Sequence, residues 1–211
     1  VSYLQQSYPY ILKLHILNEF EKATSLLMKS TTNLPKILNE WEQRDQLIRA
    51  SRGVEPVLGM RRATLDLFTE LLESVQKNDV EITAALNIKK EIGKMWLKSA
   101  KIARKSGLYQ QAYKYILSAS DSCPQQELNI EQAQLYWQRD FQEEALMTLK
   151  RSFTNCFQPT SHYEALPHDV DTPDRRNFAK AKLLFAKYNE EMMKVSTMVN
   201  KEYYKEAYNS L

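Results

Sequence analysis

"KMWLKSAKIARKSGLYQQAYKYIL", residues 94–117, decides how the rest of the chain is read. Ala100 is followed seven residues on by Gly107 and twelve on by Ala112. Ala133, 33 residues later, is followed at the same offsets by Asp140 and Ala145. Small side chains recurring at a fixed separation mark places where two antiparallel helices approach closely and a larger residue would push them apart. Gly107 lacks a Cβ, so it can end the first helix in a left-handed turn.

An offset of 33 lies close to the ~34-residue period of tetratricopeptide repeats. Other positions of that pattern agree: Trp96 four before Ala100, Ala103 three after, Ile116 and Ala119 in the second helix, and Pro124 ending the pair. The second copy is degenerate, with Asn129 for the tryptophan, Asp140 for the glycine and Pro159 two residues late. Two unrelated helical hairpins remain the alternative. Cys123 and Cys156 are also 33 apart. Stacked helices lie roughly 8–10 Å apart, beyond the ~7 Å that a disulfide tolerates between Cα atoms, so both are expected as free thiols.

Composition agrees with helices. The 211 residues include four glycines, too few for a fold rich in hairpins, barrels or phosphate-cradling loops. Hydrophobic residues make up 43% and charged residues 26%, as in folded domains. A net charge of +3 is too mild to name nucleic acid as a partner. No apolar run approaches the ~18–20 residues of a membrane span. The first residue is valine and no signal peptide precedes it, so a piece of a longer chain is expected. Two cysteines make no secreted framework, which favours a reducing compartment.

The pattern predicts an all-α fold, an α-solenoid of antiparallel helix pairs with tetratricopeptide-like repeats. Its expected organisation is a helical-repeat segment over 1–157, a loop or chain gap over 158–174, and a long helix of the same solenoid over 175–211. Leu12, Ile16, Phe20, Ala23 and Leu27 form a first helical stripe. Leu34, Leu38, Trp41 and Ile48 mark a second helix, with Asn33 as its cap. Gly53 is read as a helix end and Pro56 as the first turn of the next, whose apolar face is Val57, Met60, Leu67 and Leu71. A further helix spans 80–106. Beyond "QPTSHYEALPHDVDTPD", Phe178, Ala181, Phe185, Tyr188, Met192, Val195 and Val199 make a seam three heptads long. That seam serves either a helix buried at home or one facing another chain. A solenoid cut at both ends should expose apolar surface at both.

Little in the sequence resembles chemistry. There is no glycine-rich phosphate loop, DFG or HRD motif, and no dinucleotide fingerprint. His15, His162 and His168 have no metal-ligand spacing. His15 is read as a hydrogen-bonded structural residue, and His168 beside Asp169 and Asp171 as loop rather than metal site. Tyr113 fills a repeat position, so packing explains it better than base stacking. Lys94, Lys98, Lys101 and Lys105 share one helix face, flanked by Arg104. That row either faces solvent or docks an acidic partner through weak, salt-screened contacts.

"SYPYILKLHILNEFE", "VEPVLGMRR", "WLKSAKIARKSGLYQQAY" and "EQAQLYWQRDFQEEALMTLKR" resemble the FAT domain of the phosphatidylinositol-kinase-related protein kinases, and most of all its DNA-damage checkpoint members. The resemblance covers roughly residues 7–157, and more loosely 178–195. Glu55-Pro56 and Arg61 match the family's short signature at a helix start. It implies a helical collar around the kinase domain of the same chain, contacts with an accessory subunit and a homodimer, and a nuclear parent that phosphorylates serine or threonine before glutamine. ATP and Mg belong to that parent's kinase domain; no cofactor or catalytic residue is implied here. The family pattern leads one to expect a further helix between Phe157 and Phe178, where this chain has only the proline-rich stretch.

Three readings compete. The first is a scaffold segment of a checkpoint kinase, with no direct nucleic-acid or membrane contact. The second is a free-standing adaptor that grips peptide tails, with Lys98 and Lys101 in one copy and Gln132, Gln134 and Arg139 in the other. The third is a nucleic-acid binder acting through the Lys94–Lys105 face.

Overall fold

The computed structural model describes residues 3–30, 33–45, 51–74, 79–159, 162 and 172–209. Among these it contains α-helices and no strand: α1 (Tyr3–Leu27), α2 (Leu34–Asp45), α3 (Ser51–Ser74), α4 (Asp79–Lys105), α5 (Tyr109–Ala119), α6 (Gln125–Gln138), α7 (Gln142–Asn155) and α8 (Pro173–Asn209). Helix pairs stack in chain order. α3 packs on α1 and α4, α4 on α5, α6 on α7, and α8 lies across α6 and α7. At 1.5 Å per residue α8 is about 55 Å long.

The alanine interlock is present. Ala100, Ala112, Ala133 and Ala145 are all fully buried, as is Ala119, and Ala103 is nearly so. Ala100 and Ala112 share one apolar cluster with Leu97, Ile116 and Leu135. Ala133 and Ala145 share the next, with Ile130, Leu149 and Ala181. Leu97 and Ile130, and Ile116 and Leu149, stand at equivalent positions 33 residues apart.

The turns repeat as well. Gly107 has φ 76° and Asp140 φ 62°, the positive values among the described residues. Leu108 N–H donates to the Ala103 carbonyl at 2.9 Å, and Phe141 N–H to the Tyr136 carbonyl at 3.0 Å. These are one helix-terminating motif built twice, and they decide for a true repeat over two unrelated hairpins. Copy two carries two defects. Asp140 holds a left-handed conformation that glycine takes freely. Ser152 replaces Ala119, and its hydroxyl is buried without a hydrogen-bond partner. Asp140→Gly should stabilise the chain by ~0.5 kcal/mol, Ser152→Ala by ~1 kcal/mol, and Gly107→Ala should cost ~1 kcal/mol. Urea unfolding of the three variants checks the opposed signs.

Several local expectations are corrected. Gly53 and Pro56 both lie inside α3, so neither marks a boundary. On α3, Val57 is buried as expected and Met60 half-buried, but the buried face continues through Leu58, Arg61, Leu65 and Phe68, whereas Leu67 and Leu71 are exposed. Two arginines on the buried side shifted the apparent stripe. Phe20 leaves the α1 stripe for solvent, as do Ile11, Leu14 and Leu17 on other faces of that helix. That outer surface is the apolar end expected of a solenoid. The Asn33 amide donates to the Leu26 carbonyl at 2.9 Å, tying it to the end of α1. Pro124 precedes α6 at its N-cap rather than ending α5. Tyr113 is exposed, and Tyr115 is the tyrosine that packs on Trp96, at 5.5 Å between rings.

The α8 seam packs at home through Tyr188. Ala181 and Tyr188 are buried with Phe178 and Phe185 against α6 and α7. Trp137 stacks flat on Tyr188 at 3.9 Å and 2°. Ile48, His168 and most of 158–174 lie outside the described residues, as do the side chains of Val195 and Val199. No helix among the described residues is long and apolar enough to cross a membrane.

Both cysteines are free. Burial, reinforced by the Glu127 carboxylate, pushes the Cys123 thiol up to about 11. At pH 8 roughly one part in a thousand of it is thiolate. A disulfide reagent at that pH should therefore modify half-buried Cys156 readily and Cys123 only after denaturant is added. Equal rates for the two thiols would contradict this burial.

Candidate docking face

Of the five cations singled out on α4, the four lysines share a side of the helix, but their surroundings differ and Arg104 turns inward. Lys94 Nζ lies 2.6 Å from Glu91 Oε1, and Lys98 pairs with Asp45 of α2. These two line a shallow groove between α2 and α4, beside Trp41 and Glu42. Arg104 is buried: its Nε donates to Glu131 Oε1 at 2.5 Å and its Nη2 to Gln134 Oε1 at 2.9 Å. Lys101 is half-buried and Lys105 exposed.

α8 adds a cation that the sequence did not place. The Lys180 ammonium is held below its usual range, first by burial and then by the Lys101 cation, with Glu131 opposing. Lys180 on α8 and Lys101 on α4 thus feel each other's charge, with Lys180 exposed and Lys101 half-buried. Glu131 is already paired with Arg104, and Glu127 acts on Lys180 against the two cations.

Inside the stack, three buried arginines join the helices. Arg61 Nε and Nη2 grip Glu19 of α1 at 2.8 and 2.9 Å, while Nη1 donates to Asp45 Oδ1 at 2.7 Å. Nη2 also reaches the Trp41 carbonyl at 3.3 Å. Arg44 and His15 approach the same Glu19 carboxylate at 3.5 and 3.2 Å. Arg62 donates to Ser99 Oγ and Glu55 Oε1, both at 2.7 Å, and stacks 3.7 Å over the Trp96 ring. Arg104 then ties α4 to α6. A planar guanidinium with five donors suits such buried multi-partner sites.

The family model for the FAT domain matches residues 1–210. The chain belongs to the FAT domain family. Among curated proteins, Serine/threonine-protein kinase ATR of Drosophila melanogaster is 26% identical over 211 residues, covering 95% of this chain and 8% of that protein. ATR of Arabidopsis thaliana is 27% identical over 161 residues, covering 71% of the chain and 5% of that protein. ATR of Oryza sativa subsp. indica is 28% identical over 165 residues, covering 73% and 5%. The chain therefore spans less than a tenth of the length of these relatives. No solved structure matches it.

In this FAT domain the signature residue Arg61 sits mid-helix, at the junction of α1, α2 and α3. Glu55 lies inside α3 rather than at its start, and it is the partner of Arg62. Sequence reasoning missed Glu19, Arg62 and Glu131, because charged residues on amphipathic helices read as solvent-facing. It also missed Gly93. A Cβ there would meet the Ser122 carbonyl carbon at 2.7 Å, so the α5–α6 turn rests directly on α4. A glycine inside a long helical run was the available signal. Among the described residues, no group of three or more His, Cys, Asp or Glu is placed to hold a metal ion.

Proposed function

We propose that this FAT domain is a non-catalytic scaffold segment of a large serine/threonine protein kinase of the DNA-damage checkpoint. It wraps the kinase domain of the same chain and biases its activity. Its other partners are an accessory subunit and a second copy of the parent, in the nucleus, without direct contact to nucleic acid or membrane. ATP and Mg act in the parent's kinase domain, and this segment takes no cofactor. The positive face at Lys101, Lys105 and Lys180 docks an acidic partner surface.

The observation that carries this reading is the relay of buried arginines. Arg61 joins α1 and α2 to α3, Arg62 joins α3 to α4, and Arg104 joins α4 to α6. A packed element with buried, paired charges moves as a unit, so displacement at one helix is passed to the next. The test is a protein-kinase assay on the purified full-length parent, with and without its co-purifying partner. Lys101→Glu with Lys180→Glu should keep basal activity and lower partner-stimulated activity several-fold. A parent without kinase activity, or stimulation unchanged in the double variant, would defeat the reading.

A further inference from the structure

Away from the basic face, the seam between α6 and α7 opens into a groove of about 530 Å³. Gln125, Asn129, Gln132 and Tyr136 form its α6 wall, at steps of four, three and four that keep them in one row. Gln125 Nε2 donates to Asn129 Oδ1 at 2.8 Å, Gln132 Nε2 donates to the Tyr136 hydroxyl at 3.0 Å, and Asn129 Nδ2 points at Cys156 Sγ. An amide carries two N–H donors and a two-lone-pair oxygen, so each keeps capacity for another partner. Residues four apart on a helix rise about 6 Å. Two residues of polyproline-II chain span about the same length. With the step of three between Asn129 and Gln132, about 4.5 Å, the row spans about 16 Å in all, the length of about five residues of such an extended segment.

The α7 wall supplies the specificity. Glu144 and Arg151 both line the groove, both are exposed, and neither has an ion-pair partner among the described residues. They stand seven residues apart, about 10 Å along the axis. In polyproline II, residues three apart face the same way at about 9 Å. Met147, half-exposed, lies between them as a soft apolar floor. We propose that this groove binds an extended segment of a partner protein that sets a basic side chain against Glu144 and, three residues away, an acidic one against Arg151, with an apolar side chain on Met147. Hydrogen bonds from the amide row hold the backbone, and the two charges set register and direction. The proposal does not depend on the parent being a kinase.

The probes are fluorescein-labelled peptides centred on Lys-Pro-Leu-Asp and on the reverse order Asp-Leu-Pro-Lys, titrated with the 211-residue chain by fluorescence anisotropy. One order should bind with salt-sensitive affinity. Arg151→Glu should weaken it about fivefold or more, as expected for an exposed charge contact turned repulsive. Replacing the aspartate of the peptide by lysine should regain binding to that variant. Glu144→Lys should respond in the mirror sense, and circular dichroism checks that both variants stay folded. Neither order binding at about 1 mM, an unchanged Kd in Arg151→Glu, or failure of the swapped peptide to regain binding overturns the proposal.

Discussion

Arg61→Ala is expected to lower the unfolding free energy by about 3–5 kcal/mol, the cost of leaving a buried ion pair half-made. Glu19 and Arg61 are each 1% exposed, so water cannot replace the lost guanidinium. Asp45 keeps Lys98, but Glu19 is left only Arg44 at 3.5 Å and His15. Replacing both partners, as Glu19→Met with Arg61→Met, should recover most of the loss, because an apolar pair of similar size removes the stranded charge. Urea unfolding of the two single variants and the double variant forms the cycle. A loss under about 1 kcal/mol in Arg61→Ala would show that the network is hydrated, and the relay would lose its rigid first joint.

Ala133→Leu is the second large effect, with an expected cost of about 2–3 kcal/mol from overpacking. Ala133 has no exposed surface and shares its cluster with Ala145, Leu149 and Ala181. Three extra carbons cannot enter without parting α6 from α7 or α8. The matched control is Ala186→Leu on the exposed side of α8, where the change should stay within ~0.5 kcal/mol. Equal thermal shifts in the two variants would mean that the small residues do not set the helix spacing. The same parting of α6 and α7 would distort the groove between them, so peptide binding should fall in Ala133→Leu but not in Ala186→Leu.

The alanines were readable because helix contact at short range excludes every larger side chain, which leaves a mark at a fixed offset. Gly107 was readable for a similar reason: its backbone conformation penalises a Cβ, and Asp140 shows the penalty being tolerated 33 residues later. The α3 face was misread through Leu67 and Leu71, which are apolar yet exposed. A search for apolar stripes passes over Arg61 and Arg62, the residues that face inward. The candidate docking face was half legible. Lys94, Lys98, Lys101 and Lys105 do share a side of α4, but Asp45 neutralises Lys98 from another helix and Lys180 reinforces Lys101 from a third.

The sequence by itself determined the helices, their pairing into hairpins and the repeat of two hairpin units, because each follows from local backbone preference and short-range periodicity. Only the tertiary structure decided which charges are interior. Arg61 meets Glu19 across 42 residues and Arg104 meets Glu131 across 27. An arginine on a helix is the same residue whether water or a carboxylate from a distant helix surrounds it. Desolvation, which makes such a pair costly to break, arises only when the stacked neighbours close over it.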